Sequence, residues 1–251
     1  ALRHFERGLV ALEDSPLEGR KAALLYGKGV AQKNMLMYEE ARKSFNLAMD
    51  YYEKTGDVKH VTSIAVAPLR WHSDLSLSER ALKVIPADSQ EMGEVLSYYG
   101  RRLLMRGQNQ EFATEQFENA LRIAALHRSN NLKAQVHSLW AYAAWYQLRT
   151  DACLDHSLQA IELYRGSPDP TPEHTAYETL IEVLRTEGKM AEAHQQLKSM
   201  YRIASESGDR WQLVASHRER ARLAAQVGDW ATARTCYDAI LLSFELYGVY
   251  Y

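Results

Sequence analysis

The sequence predicts an all-α protein, a right-handed α-solenoid of antiparallel helix hairpins with about thirteen helices. Three observations predict it. A small residue, an apolar residue four later and another small or apolar residue three beyond that recur as Ala1/Phe5/Gly8, Ala41/Phe45/Ala48, Ala113/Phe117/Ala120, Cys153/Ser157/Ala160, Ala193/Leu197/Met200 and Ala233/Tyr237/Ile240. The last four sets start 40 residues apart, as do the first two, and a shorter copy, Asp74/Ser78/Ala81, fills the gap. Within each unit apolar residues recur at three and four rather than at two, and almost no segment alternates like a strand. The intervals between units carry turn chemistry. A period of this length means stacked units, none of which can bury its apolar face alone.

Taken in order, residues 1–12 read as a lone second helix, with Leu2, Phe5, Leu9 and Leu12 on one face. Segments 17–34 and 38–55 form the first hairpin, which Thr55-Gly56-Asp57 separates from the second. That second hairpin is short. Its first helix meets Pro68, its second starts near Asp74 and stops at Pro86, and proline removes a backbone donor and clashes with the preceding turn. A kink is expected near residues 68–90. Segments 88–106 and 110–128 come next, then 131–148 with 151–165, 173–187 with 190–206, and 210–226 with 230–247. Ser129-Asn130-Asn131, residues 166–170, Gly188-Lys189, Ser207-Gly208-Asp209 and Gly228-Asp229 divide them, glycine ending one helix and Asp or Asn capping the next.

With 46% hydrophobic and 25% charged residues the chain is not of disordered composition. Thirty basic side chains against thirty-two acidic ones leave no positive field for a phosphate backbone, which argues against direct nucleic-acid binding. Cys153 and Cys236 lie in helical apolar patterns rather than in cross-linkable loops, which favours a reducing, cytoplasmic setting. No apolar run approaches the roughly 18–20 residues of a membrane span. Ala1 opens on a second helix with no first helix before it, and the pattern stops near Leu246 without a polar cap. The expectation is one repeat domain over residues 1–251, excised from a longer multidomain protein or covered at its ends, and prone to self-associate there.

The small/aromatic/small spacing, a small residue about twelve positions earlier (Gly29, Ala141, Ala221), and turns such as Gly188-Lys189-Met190-Ala191-Glu192-Ala193 and Gly228-Asp229-Trp230-Ala231-Thr232-Ala233 resemble tetratricopeptide repeats. Asp74, Ser78 and Cys153 depart from that pattern. The unit exceeds the common 34 residues by about six, or roughly one and a half helical turns. Long units with Ser207-Gly208-Asp209-Arg210-Trp211 or Ile85-Pro86-Ala87-Asp88-Ser89 are similar to the helical sensor arrays of LuxR-type activators and other signal-transduction ATPases. The resemblance implies a sensor or partner-docking region, with ATP hydrolysis and DNA binding elsewhere.

Residues that could carry chemistry have plainer readings. Tyr26-Gly27-Lys28-Gly29 lacks the earlier glycine and following Ser or Thr of a phosphate-binding loop, and close helix packing explains Gly29. Cys153 and His156 share a helical face, but a structural zinc site needs four ligands and no second pair lies in reach, so Cys153 reads as a core thiol. Met35-Leu36-Met37-Tyr38 reads as gap-filling at a turn. No nucleophile turn or His-Glu-x-x-His pattern occurs. Neither enzyme activity, a metal nor a cofactor is expected.

The face of each first helix that should line the concave side carries Tyr26 and Val30, then Tyr98, Arg101 and Arg102, then Tyr142, Trp145 and Tyr146, then Glu178, Glu182 and Arg185, and finally Arg218 and Arg222. Aromatic residues beside carboxylates and guanidiniums could form a ligand groove. Equally, Glu178 and Glu182 could pair with Arg218 and Arg222, with Trp145 in the core. The function expected is a non-catalytic sensor or docking module of a cytoplasmic, bacterial-type regulator, taking a protein, a peptide or a small-molecule effector on its concave face. A stand-alone adaptor for protein–protein interaction is the alternative.

Overall fold

The computed structural model describes residues 2–13, 15–35, 37–67, 75–164 and 171–246, apart from the side chains of residues 171, 172 and 244–246. These residues form thirteen helices and no strand: α1 (Leu2–Ala11), α2 (Glu18–Asn34), α3 (Tyr38–Thr55), α4 (Val58–Ala65), α5 (Ser76–Val84), α6 (Gln90–Met105), α7 (Gln110–Leu126), α8 (Asn130–Tyr146), α9 (Thr150–Tyr164), α10 (Thr171–Thr186), α11 (Met190–Ser207), α12 (Arg210–Gln226) and α13 (Trp230–Leu246). From α2 onward they pair as consecutive hairpins, and α1 packs on α2. The first helices α4, α6, α8, α10 and α12 touch in sequence, so their side chains line one continuous wall.

Each hairpin is held where its helices cross. Gly29 of α2 lies so near α3 that a Cβ there would sit 2.7 Å from the Phe45 ring. Gly100 of α6 meets the Ala113 carbonyl oxygen and Phe117 in the same way. Ala141 and Ala221 occupy the equivalent sites in α8 and α12 and are wholly buried. Small residues let the backbones approach, and the aromatic ring fills the space to the next hairpin. Phe117, for example, stacks on Trp140 of α8 with ring centroids 4.9 Å apart. The recurring motif is buried in the interior hairpins, as at Cys153, Ser157 and Ala160, whereas Phe5 and Gly8 of α1 are only partly buried and Tyr237 of α13 is exposed.

Helix ends follow the turn chemistry. Asp57, Ser89, Asn109, Ser129, Asp209 and Asp229 accept hydrogen bonds from backbone N–H groups of the following first turn. Two turns lack the glycine, and there Arg128 and Leu148 adopt left-handed φ of 52° and 58°. The start of α8 is therefore Asn130, one residue before the predicted boundary, with Ser129 as its cap.

The second hairpin is short as predicted, with eight residues in α4 and nine in α5. Asp74 and the start of the expected kink, residues 68–74, lie outside the described residues. Toward the other end, the Lys33 ammonium is half-buried, and burial lowers its pKa while the Asp209 carboxylate opposes the shift.

Candidate functional site

Four first helices, α6, α8, α10 and α12, bring most of the predicted concave residues together. At the α6–α8 step the Arg101 guanidinium lies over two tyrosine rings, 5.3 Å from the Tyr98 centroid and 5.7 Å from that of Tyr142. Tyr142 and Tyr146, four residues apart on α8, have ring centroids 5.1 Å apart. Burial, a hydrogen bond with Tyr146 and the neighbouring Glu178 charge raise the Tyr142 phenol far above its ordinary value. Glu178 and Arg218 also act on Tyr146, so the aromatic pair joins the charged face of α10 and α12.

That charged face is a network. Arg218 donates to Glu178 and, at 2.9 Å, to Glu219. Arg222 donates to Glu182 and lies 3.3 Å from Glu219. Arg185 donates twice to the same Glu182 oxygen, at 2.6 and 3.2 Å, and also to Gln226 at 3.2 Å. Ion pairing, one of the two readings open from the sequence, is therefore present. It does not remove the groove, because Arg218 and Arg222 keep 38% and 42% of their side chains accessible.

Glu219 is the residue that sequence reasoning missed. Its Oε2 is buried and accepts no hydrogen bond from a described residue. Burial first, then the Glu182 charge, push its carboxyl up to about 8 against the pull of Arg218. Burial would raise Glu182 too, but hydrogen bonds with Arg185 and Glu219 and the Arg222 charge hold it below the ordinary carboxylate range. Of the two carboxyls, Glu219 is therefore the one whose surroundings favour the protonated form. A signal existed in the sequence: Gln212, Ser216, Glu219 and Leu223 follow the four-three-four spacing of a buried stripe, and all four are buried.

Trp145 is half-buried against Ala141, Ala144, Cys153 and Val183. Its open side, with Glu182, Arg185, Arg222, Ala225, Gln226 and Tyr237, lines a cavity of about 590 Å³. Ala225, Gln226 and Tyr237 also escaped the sequence reading, because Tyr237 belongs to a second helix and enters the groove only through the stacking of α13.

Arg102 must be removed from the groove. It is buried, and donates to the carbonyl oxygens of Ala65 at 2.6 Å and Ala67 at 2.8 Å and to Ser78 Oγ at 2.5 Å. Neighbours on a helix point about 100° apart, so Arg101 and Arg102 cannot share one face. Arg102 instead closes the C-terminal end of α4, where exposed carbonyls favour a cation, and burial lowers its pKa to about 10. Tyr26 likewise packs among Phe45 and His60 rather than reaching across the groove. Cys153 is buried with its thiol toward the Thr179 carbonyl oxygen, and burial raises its pKa to about 12, as befits an inert core thiol. Its neighbour His156 faces His137, with Nδ1 atoms 3.0 Å apart. Among the described residues no cluster of three or more His, Cys, Asp or Glu side chains could hold a metal ion.

Comparison with solved structures supplies a likeness of fold. A crystal structure of a single-substitution form of a Podosopora anserina protein, described as a putative kinesin light chain with nearly identical TPR-like repeats, matches with a TM-score of 0.50 and 17% identity, over 80% of this chain and 93% of that one. The chain has a TPR-like repeat fold. A second structure described in the same terms, without the substitution, gives a TM-score of 0.48 at the same identity and coverage. At this identity the likeness concerns the fold alone. No protein-family model and no curated protein matches the sequence. Among the described residues, no helix is long and apolar enough to cross a membrane.

Proposed function

We propose that this chain is a non-catalytic docking module that receives an extended segment of a partner protein along the wall formed by α6, α8, α10 and α12. The observation that carries the reading is the continuity of that wall, from Arg101 through Tyr142 and Tyr146 to Glu178 and Arg218, ending in the cavity beside Trp145. Side chains contributed by successive repeats suit a ligand that runs across them, since each repeat adds one patch of contact. Trp145 and Tyr237 offer aromatic surface for anchoring, and the ion-paired network beneath them presents a stiff floor that loses little entropy on binding.

Similarity of the Ile85–Ser89 and Ser207–Trp211 stretches to sensor arrays of switch ATPases supports a finer placement. In it the module belongs to a cytoplasmic, LuxR-type regulator whose nucleotide-binding and DNA-binding parts lie in other domains. The first test is selection from a random dodecapeptide display library with this chain as bait, followed by calorimetric titration of the selected peptides. Micromolar binding that weakens about tenfold or more in Trp145→Ala is expected. Failure to select any peptide, or selection of peptides indifferent to the concave variants, would overturn the reading.

A further inference from the structure

The charges along the concave wall are not equally satisfied. Arg185, Arg218 and Arg222 each face carboxylates of α10 or α12. Arg101, on the same wall two helices earlier, faces none among the described residues: its guanidinium rests on the Tyr98 and Tyr142 rings, and its Nε is buried without a hydrogen-bond acceptor. A guanidinium resting on aromatic faces loses part of its hydration while it lacks a carboxylate partner, the state in which it gains most from an anion. Removing a polar group from water without a partner costs free energy, and an acceptor brought by a ligand restores it.

We propose that Arg101 anchors a carboxylate side chain of the partner segment, so that the docking module selects acidic sequences at the α6–α8 step. The inference rests on the docking function argued above. Charge balance selects a carboxylate over a phosphate. One guanidinium neutralises one unit of charge, which is what a carboxylate carries and what a phosphate dianion exceeds. A planar guanidinium suits the two parallel hydrogen bonds that an Asp or Glu carboxylate accepts.

The dodecapeptide selection tests this directly. Peptides recovered on the wild-type chain should be enriched in Asp and Glu, and binding should weaken as salt rises. Their affinity should fall about tenfold or more in Arg101→Gln, and less in Arg101→Lys, which keeps the charge but not the planar fork. Arg122→Gln removes the same charge from α7, where Arg122 forms an exposed pair with Asp88, and should leave affinity unchanged. Thermal melting of each variant separates lost binding from lost folding. Peptides that depend on Trp145 yet show no acidic preference, or no loss in Arg101→Gln, would overturn the anchor and leave the docking function standing. Tighter binding when phosphoserine replaces the key Asp or Glu would overturn the choice of carboxylate. A selection that yields no peptide would remove both readings together.

Discussion

Arg218 of α12 is ion-paired with Glu178 of α10, and the two residues are one 40-residue repeat apart. One turn further along the same helices, Arg222 is joined to Glu182 across the same separation. Side chains four apart on one helix thus face side chains four apart on the next, as stacked repeats in register require. The pairs tie the fifth hairpin to the sixth.

Removing Arg218 should therefore cost stability as well as charge. Arg218→Ala leaves Glu178 and Glu219 short of a donor and is expected to lower unfolding free energy by about 1–3 kcal/mol. Arg202→Ala removes an exposed pair with Glu206 on α11 and should cost no more than about 0.5 kcal/mol. Chemical denaturation of both variants checks the contrast.

Glu219 makes stability depend on pH in a particular direction. Its carboxyl is pushed up to about 8 in the fold, whereas an unfolded Glu titrates near 4.3. The folded state then binds more protons than the unfolded state between those values, so stability falls as pH rises through that window. Buried His137 and His174, each lowered by burial to about 4, act oppositely but only below about pH 6.5. Between pH 6.5 and 8.5 the wild-type melting temperature should fall. Glu219→Gln, which keeps the shape of the side chain but cannot ionise, should flatten that decline and be the more stable protein at pH 8.5.

Arg102 should behave as a structural residue. Arg102→Met abandons the carbonyls of Ala65 and Ala67 and the Ser78 hydroxyl in a buried place, with an expected loss of about 3 kcal/mol. Hydrogen exchange should quicken most in α4, whose last turn that guanidinium closes, while binding at the concave wall measured on the surviving folded protein stays as it was.

Trp145→Ala should cost only about 1–2 kcal/mol of stability, because half of the ring already faces the cavity. Phe117→Ala removes a wholly buried ring and should cost about 3–5 kcal/mol. Equal losses in thermal melts of the two variants would place Trp145 in the core.

Close approach explains one further expectation. Gly29→Ala gains about 1 kcal/mol in helix propensity, yet its Cβ would press to 2.7 Å from the buried Phe45 ring. Overpacking of that kind costs about 1–3 kcal/mol, so a net loss of stability is expected in denaturant titrations.

The amino-acid sequence by itself determined the repeat. Gly29, Ala141 and Ala221 opposite the motif of the next helix, Asp57 and Asp209 at helix starts, and the prolines around the short second hairpin specify local structure and its period, because each acts through neighbours within one hairpin. Apart from Tyr26, Val30 and Arg102, which pack against or within the core, the concave residues expected on α6, α8, α10 and α12 were legible for the same reason: a surface helix repeats its facing every three or four residues. Only the tertiary structure decided how those side chains are used. Whether Arg101 or Arg102 turns inward depends on where the end of α4 lies, a contact between residues about 35 apart. Glu219 keeps its proton only because Glu182 of a neighbouring helix and burial act on it together. Tyr237 joins Trp145 in lining the cavity only once α13 packs on α12. Burial and charge at these positions are sums over several helices, and no spacing within one helix encodes such a sum.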